Sequence, residues 1–442
     1  FLAPLRHQSL LSFIRIFFKE IEGSFCMDKI FIEGGIPLKG SVSASGSKNS
    51  ALPLLFSSLL CPGVHRFENV PQLKDIESAG FLLRSLGCEF NQTGASVEVL
   101  VPERTSTEAH YDLVRKMRAS ILCLGPLLSR FGEAVVSLPG GCAIGTRPID
   151  LHLEAMKAMG ADIEIREGSV HARAPRLKGC SFVFETATVG GTENMLMAAV
   201  VAEGTTIIEN AAKEPEIVDL AESLIQMGAM ISGHGSSVIR IQGVKSLRPA
   251  FHRVIPDRIE AGTLLLAGAI TAGDVTVENC RADHLEALVH KMKETGFEIE
   301  STPNRLRVYP LKNPRSVDVT TQSYPLFPTD LQAQWMALMS VAEGTSVISE
   351  TIFENRFMHV LELSRMGADI SPRSRVAIVR GRPGGLTGAP VMATDLRASA
   401  CLVLAGLAAK GQTVVNRIYH LDRGYEGLEK KLRSLGALIQ RM

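Results

Sequence analysis

From Met27 onward, the order of apolar and polar residues returns six times. Each return has two parts. In one, apolar residues three and four apart run to a glycine, and an alternating stretch follows: "LRSLGCEF", "MKAMGADIEI", "LIQMGAMI", "MKETGFEIE", "LSRMGADI" and "LRSLGALI". That spacing predicts a helix with one buried stripe, and the alternation predicts a strand. The glycine between them supplies the left-handed residue that stops a helix. These glycines are Gly87, Gly160, Gly228, Gly296, Gly367 and Gly436, spaced 73, 68, 68, 71 and 69 residues apart.

In the other part, a helix rich in small and apolar residues precedes a glycine and a second strand: "CPGVHRFEN", "RFGEAVVSL", "AEGTTIIEN", "TAGDVTVEN", "AEGTSVISE" and "AKGQTVVNR". Its glycines are Gly63, Gly132, Gly204, Gly273, Gly344 and Gly411, spaced 69, 72, 69, 71 and 67. A helix apolar on all sides is buried on all sides. The chain therefore predicts six units of about 70 residues, each with two helices and several strands. Such a unit is longer than a simple solenoid repeat. We expect six small α/β subdomains, grouped as two domains of three. Repetition alone also suits a scaffold without enzymatic activity.

The buried helices begin with polar residues: "SGSKNSALPLL", "RKMRASILCLGPLL", "GGTENMLMAAVV", "PDRIEAGTLLLAG", "PTDLQAQWMALM" and "ATDLRASACLVLAG". These starts carry Lys48, Arg118, Glu193, Arg258, Asp330 and Arg397. Helix N-termini present free N–H groups and a positive dipole end. Six such ends around a gap between two domains would make an anion-binding cleft. "SGSKNS" is not a Walker A loop, because Gly40 and Gly46 are one residue too far apart and Ser47 replaces the glycine before Lys48.

Composition narrows the classes. The 442 residues are 45% hydrophobic and 21% charged, enough for two or three domains with a large core. Lys+Arg 47 against Asp+Glu 46 leaves a net charge of +1, without the basic excess that non-specific nucleic-acid binding requires. Aromatic residues are 5%, too few for a stacking platform. The eight cysteines are scattered, with no C-x-x-C pair, which points to a reducing cytoplasm rather than a disulfide framework. The apolar run in residues 1–26 is broken by Arg15 and is too short to span a bilayer. We expect Met27 to be the functional start and residues 1–26 an extension or artefact.

One cysteine stands apart. In "SLPGGCAIGTRPIDLH", Cys142 sits between a Pro-Gly-Gly turn and an Arg-Pro step, on a loop rather than a helix or strand face. Together with "GGIPLKGSVSASGSKNSALPLL", "MRAS", "PDRIEAGT", "FPTDLQAQ", "ENRFMHV", "MATDLRAS" and "DRGYE", this stretch resembles the UDP-N-acetylglucosamine 1-carboxyvinyltransferases, a family of enolpyruvyl transferases. The likeness runs in order from about Met27 to the C-terminus.

The resemblance implies an α/β fold, a two-domain inside-out α/β barrel with three repeats per domain. One domain would hold residues 27–47 and 256–442, the other residues 48–255 with the Cys142 loop. The implied reaction moves the enolpyruvyl group of phosphoenolpyruvate to the 3-hydroxyl of UDP-N-acetylglucosamine and releases phosphate. It opens peptidoglycan synthesis, needs no metal or redox cofactor, and uses small-molecule substrates without nucleic acid or membrane.

Phosphoenolpyruvate carries a phosphate and a carboxylate, and planar guanidinium groups match both. By resemblance, Lys48, Arg118, Arg147 and Arg423 hold the phosphate side, with Arg356 and Arg397 near the carboxylate. Asp330 is the base for the sugar hydroxyl. Cys142 is the acid for the methylene carbon, on a lid, and the expected target of fosfomycin. Arg147, Pro148, Ile149, Asp150 and Leu151 surround the uracil, with Asn49 and Ile352 by the sugar and Thr188, Val189 and Gly190 at the diphosphate. Thr186 stands where some members carry lysine, and Glu354, Asp395, Asp257 and Lys431 are expected to support the arginines. The rivals are a 5-enolpyruvylshikimate-3-phosphate synthase-like enzyme and an inactive scaffold that binds nucleotide sugars. The first would show a Gly-Asn-Ala-Gly-Thr stretch and no cysteine lid. The second is expected to have lost some of Lys48, Cys142, Asp330 or Arg423, and all four are present.

Overall fold

The computed structural model describes residues 28–115, 117–138 and 149–442; Cys142, Arg147, Pro148 and residues 1–27 lie outside them. Among the described residues, the strands form six sheets of four strands each. Every sheet has two antiparallel pairings and one parallel edge. In the first unit, Glu89–Thr93 and Ser96–Val101 make a hairpin, and Ser96–Val101 pairs antiparallel with Gly63–Glu68. Alternation decides which face is covered: Val97, Val99 and Val101 are buried, and Phe67 faces the same core.

The parallel edges link the units into rings. Phe251–Arg253, after the third unit, pairs with Gly63–Glu68 of the first. Three sheets therefore close on themselves around one hydrophobic cluster, built from Ala51 to Val254. The other three surround a second cluster, built from Ile30–Ala44 and Ile259–Ile439. There the ring closes differently. Ile30–Glu33 lies between Gln412–Asn416 and Leu438–Arg441, antiparallel to both. The hairpin that five units make locally is made here by two distant stretches of chain.

Inside each ring sit the helices without a polar stripe. In Arg258–Ile270, every residue from Ile259 onward is buried, as is all of Gln332–Ser340. These two and Leu396–Ala408 pack against one another. The outer helices are striped: Lys74–Ser85 buries Asp75, Ile76, Ala79, Gly80, Leu82 and Leu83 and exposes the rest of its surface. Among the described residues, no helix is long and apolar enough to cross a membrane.

The six helix-stopping glycines have φ between 90° and 109°. A methyl group added at Gly87, Gly160, Gly228 or Gly436 would meet nothing within 4 Å, so backbone conformation rather than crowding calls for glycine there. Gly273 differs from its five counterparts. The left-handed residue is Ala272, φ 49°, and a Cβ on Gly273 would lie 2.2 Å from the Leu38 carbonyl oxygen.

The chain passes between the clusters twice, side by side. Gly46 and Pro256 form an antiparallel bridge, Ser47 N–H donates to the Ile255 carbonyl (2.8 Å), and Asp257 N–H donates to that of Ser45 (2.8 Å). A Cβ on Gly46 would sit 1.6 Å from the Asn69 carbonyl oxygen, so only glycine fits this crossing.

Candidate active site

Asp330 lies in the short 3-10 turn Thr329–Leu331 that leads into Gln332–Ser340. Its carboxylate accepts from Arg356 Nη2 (2.8 Å) on one oxygen and from Arg397 Nη2 (2.7 Å) on the other. Both arginines are 4% exposed, so neither has water as an alternative partner. Arg397 is the second residue of Leu396–Ala408, a helix capped by Asp395, which accepts from Arg397 N–H (2.8 Å) and Ala398 N–H (3.1 Å).

Behind this pair is a buried polar knot. Gln334 Nε2, with two hydrogens to donate, lies within hydrogen-bond reach of the Asp330 carbonyl (3.0 Å), Tyr425 Oη (3.0 Å) and Thr263 Oγ1 (3.1 Å). The Arg397 guanidinium lies 5.4 Å from the Tyr425 ring centroid. Burial alone would raise the Asp330 carboxyl. The charges of Arg397 and Arg356 and the Arg397 hydrogen bond overcome it and hold the group far below the usual carboxylate range.

Lys48 opens the helix Lys48–Ser57, which Ser47 caps by accepting from Ser50 N–H (3.3 Å). Asp257 caps the helix Arg258–Ile270 and also receives Lys48 N–H (3.3 Å), which ties the two helix starts together at the crossing. The Lys48 ammonium reaches Asp75 Oδ2 at 3.5 Å, and Arg423 Nε donates to Asp75 Oδ1 at 2.8 Å. Asp75 and Lys48 come from the first ring and Arg423 from the second, so this group joins the two rings. Burial, with Arg397 and Arg423 nearby, outweighs Asp75 and Asp330 and lowers the Lys48 ammonium below its ordinary range. Lys48 thus lies near charged members of both the Asp75 and the Asp330 groups.

The two rings also meet at Arg258, which donates through Nε to Glu216 Oε1 (3.1 Å) and lies 5.7 Å from the Tyr324 ring centroid. Tyr324 N–H reaches Glu214 Oε1 at 3.4 Å. Glu193 is the fifth residue of Val189–Ala199 and is buried, near the Glu216 that pairs with Arg258. Burial, then the charges of Glu216 and Glu214, push its carboxyl well up.

The other expected residues have these places in the fold. Arg118 begins the 3-10 turn Arg118–Cys123, close to His152, whose imidazole is lowered to about 4 by burial and then by Arg118. Asn49 stands in the first turn after Lys48. Ile149, Asp150 and Leu151 begin the helix Asp150–Ala158. Thr188 caps Val189–Ala199 by accepting from Gly191 N–H (3.3 Å), and Val189 and Gly190 form its first turn. Ile352 N–H donates to Glu350 (2.8 Å), a buried carboxylate that also accepts from Thr329 Oγ1 (2.8 Å), beside Asp330.

Two expected supports have other tasks. Glu354 pairs with the exposed Arg375 (3.2 Å), not with a site arginine. Lys431 pairs with the buried Glu260 (2.7 Å). The residues that sequence reasoning missed are the counter-charges Asp75, Glu216 and Glu350 and the orienting pair Gln334 and Tyr425. Asp75 had one available signal, an acidic residue on the buried stripe of an otherwise amphipathic helix.

Four cations thus share two aspartates, Lys48 and Arg423 on Asp75, Arg356 and Arg397 on Asp330. The arrangement suits a small ligand with two anionic groups. Residues 32–432 match the family model described as EPSP synthase (3-phosphoshikimate 1-carboxyvinyltransferase). The UDP-N-acetylglucosamine 1-carboxyvinyltransferase of Bdellovibrio bacteriovorus is 66% identical over 411 residues, 93% of this chain and 99% of the relative. The enzyme of that name from Geotalea daltonii is 57% identical over 416 residues, 94% of this chain and 100% of the relative. Among solved structures, the enolpyruvyl transferase NikO from Streptomyces tendae is 27% identical with a TM-score of 0.85, covering 94% of this chain and 99% of that one. EPSP synthase from Acinetobacter baumannii, 18% identical with a TM-score of 0.73 over 94% of this chain and all of its own, shares the fold. By the family match and these relatives, the chain belongs to the EPSP synthase family of enolpyruvyl transferases, on the branch of the UDP-N-acetylglucosamine 1-carboxyvinyltransferases.

Proposed function

We propose that this protein transfers the enolpyruvyl group of phosphoenolpyruvate to the 3-hydroxyl of UDP-N-acetylglucosamine and releases inorganic phosphate. The observation that carries the reading is the pair of shared aspartates, which gathers Lys48, Arg356, Arg397 and Arg423 at one cleft. In this reading the two clusters are two domains, residues 27–47 with 256–442 and residues 48–255. The substrate phosphate meets Lys48, Arg118, Arg147 and Arg423, and its carboxylate meets Arg356 and Arg397. Asn49, Ile149, Asp150, Leu151, Thr188, Val189, Gly190 and Ile352 line the UDP-sugar path, with Arg147 and Pro148.

The chemistry is addition followed by elimination. The sugar oxygen bonds to C2 of phosphoenolpyruvate while its proton goes to Asp330, and Cys142 gives a proton to the methylene carbon. The resulting ketal loses that carbon's proton and expels phosphate, leaving the enol ether. The free-state geometry adds a condition. The clamp of two arginines lowers the basicity of Asp330. A substrate carboxylate that draws Arg397 and Arg356 toward itself weakens the clamp and restores basicity when the acceptor is in place. The base is thereby active only with phosphoenolpyruvate bound.

The test is phosphate release from phosphoenolpyruvate with UDP-N-acetylglucosamine, with shikimate 3-phosphate and with neither, for wild type and Cys142→Ala. Release only with the UDP-sugar, lost in Cys142→Ala, is the expected result. Release with shikimate 3-phosphate would move the protein to the sister activity. Binding of the UDP-sugar without release would leave a scaffold.

A further inference from the structure

Asp75 is 4% exposed and sits at the second position of Lys74–Ser85, yet it does not cap that helix. Its two oxygens are instead spent on two cations, Oδ1 on Arg423 and Oδ2 on Lys48. Its neighbours on the helix stripe, Ile76 and Ala79, are apolar and buried, so on its own helix the carboxylate is the charged member of a buried apolar stripe. Asp330 has the same relation to Arg356 and Arg397. Each group thus holds a carboxylate of the protein between two cations.

We infer that Asp75 is a positioning residue, an internal counter-anion that holds Lys48 and Arg423 in place until an incoming phosphate takes them over. The inference rests on the reading that these cations receive the substrate phosphate. Asp75 keeps two mutually repelling cations close and keeps Arg423 on the far side of the cleft within reach. It also competes with the ligand for them. When phosphate takes over, the link between Lys48 and Arg423 runs through the ligand instead of through Asp75.

The measurement is calorimetric titration of inorganic phosphate into the full chain, wild type and Asp75→Asn, with circular dichroism as the check on folding. Loss of one competing negative charge beside the site is expected to tighten phosphate binding about tenfold, ~1.4 kcal/mol. A merely structural role moves the dissociation constant the other way, because a damaged site binds more weakly. Placing Arg423→Gln on Asp75→Asn is expected to abolish the gain. Asp75→Ser, smaller and also neutral, carries the test where asparagine is not accommodated. Phosphate binding that is unchanged or weaker in the folded variant overturns the inference. The enolpyruvyl transfer reading stands or falls separately, on phosphate release by the wild type with the UDP-sugar.

Discussion

Replacing Asp330 with asparagine changes one atom and removes the charge between two buried guanidinium groups. The amide keeps one acceptor oxygen, so one of Arg356 and Arg397 keeps its partner and the other faces an NH2. Both are 4% exposed, and water does not reach them freely. Breaking a buried pair costs about 3–5 kcal/mol. The Asp330 side chain is 26% exposed, which places the loss at the lower end, roughly 3 kcal/mol. For a domain of this size that corresponds to a fall of roughly 6–12 °C in melting temperature.

The same change removes the base, and positioned bases contribute about 10²–10⁴-fold. Melting followed by circular dichroism and phosphate release at saturating substrates read the two effects. Asp330→Glu, which keeps the charge, is expected to lie between wild type and Asp330→Asn in stability. The pH dependence has a definite sign. Because the folded carboxyl is held far down, its stabilisation is complete above the ordinary carboxylate range and lost only as pH falls below it. The gap between wild type and Asp330→Asn is therefore flat from about pH 5 to 8 and shrinks below about pH 4. A variant melting within about 2 °C of wild type, less than 1 kcal/mol, would refute the paired-cation argument. A rate within about tenfold of wild type would remove Asp330 as the base.

His65, fully buried between the Cys61 carbonyl (3.0 Å) and Ala250 N–H (3.1 Å), is lowered to about 4 by burial. The unfolded chain binds the extra proton first, so stability falls as pH drops from 6.5. His65 contributes roughly 2–3 kcal/mol to the loss by pH 4.5, and His65→Gln should flatten the denaturation slope by that amount. Gly46→Ala places a methyl against backbone at the crossing and is expected to cost about 1–3 kcal/mol or more, read by urea denaturation; an unchanged midpoint would contradict the geometry. Fosfomycin is expected to add its mass to the peptide containing Cys142. Burial pushes Cys61 and Cys88 up to about 11 and Cys123 to about 12, so label on any of these in native protein would count against the assignment.

The six units were legible because two physical demands recur at fixed spacing, a left-handed residue at a helix end and a helix without a polar stripe. The residues at helix starts were legible for the same reason: Lys48, Arg258 and Arg397 stand in the first turns of fully patterned helices. Their partners were not. Asp75, 348 positions from Arg423, belongs to a helix whose local pattern is satisfied without it. Gln334 lay within a quoted motif, yet only the folded chain, which brings Tyr425 from 91 positions away, reveals that it joins Asp330 to Tyr425.

The strand Ile30–Glu33 has a consequence for the order in which the protein is made. Both its partners lie near the other end of the chain, and Lys29 and Met442 exchange backbone hydrogen bonds (2.7 and 3.0 Å). On a ribosome adding about 5–20 residues per second, this strand waits tens of seconds for Leu438–Arg441 to emerge. The ring of residues 51–254 has all its strands by then and needs nothing that follows Arg253 to close its sheets. Synthesis therefore delivers the protein in two instalments: the inserted ring first, then the outer one, sealed when Leu438–Arg441 pairs with Ile30–Glu33.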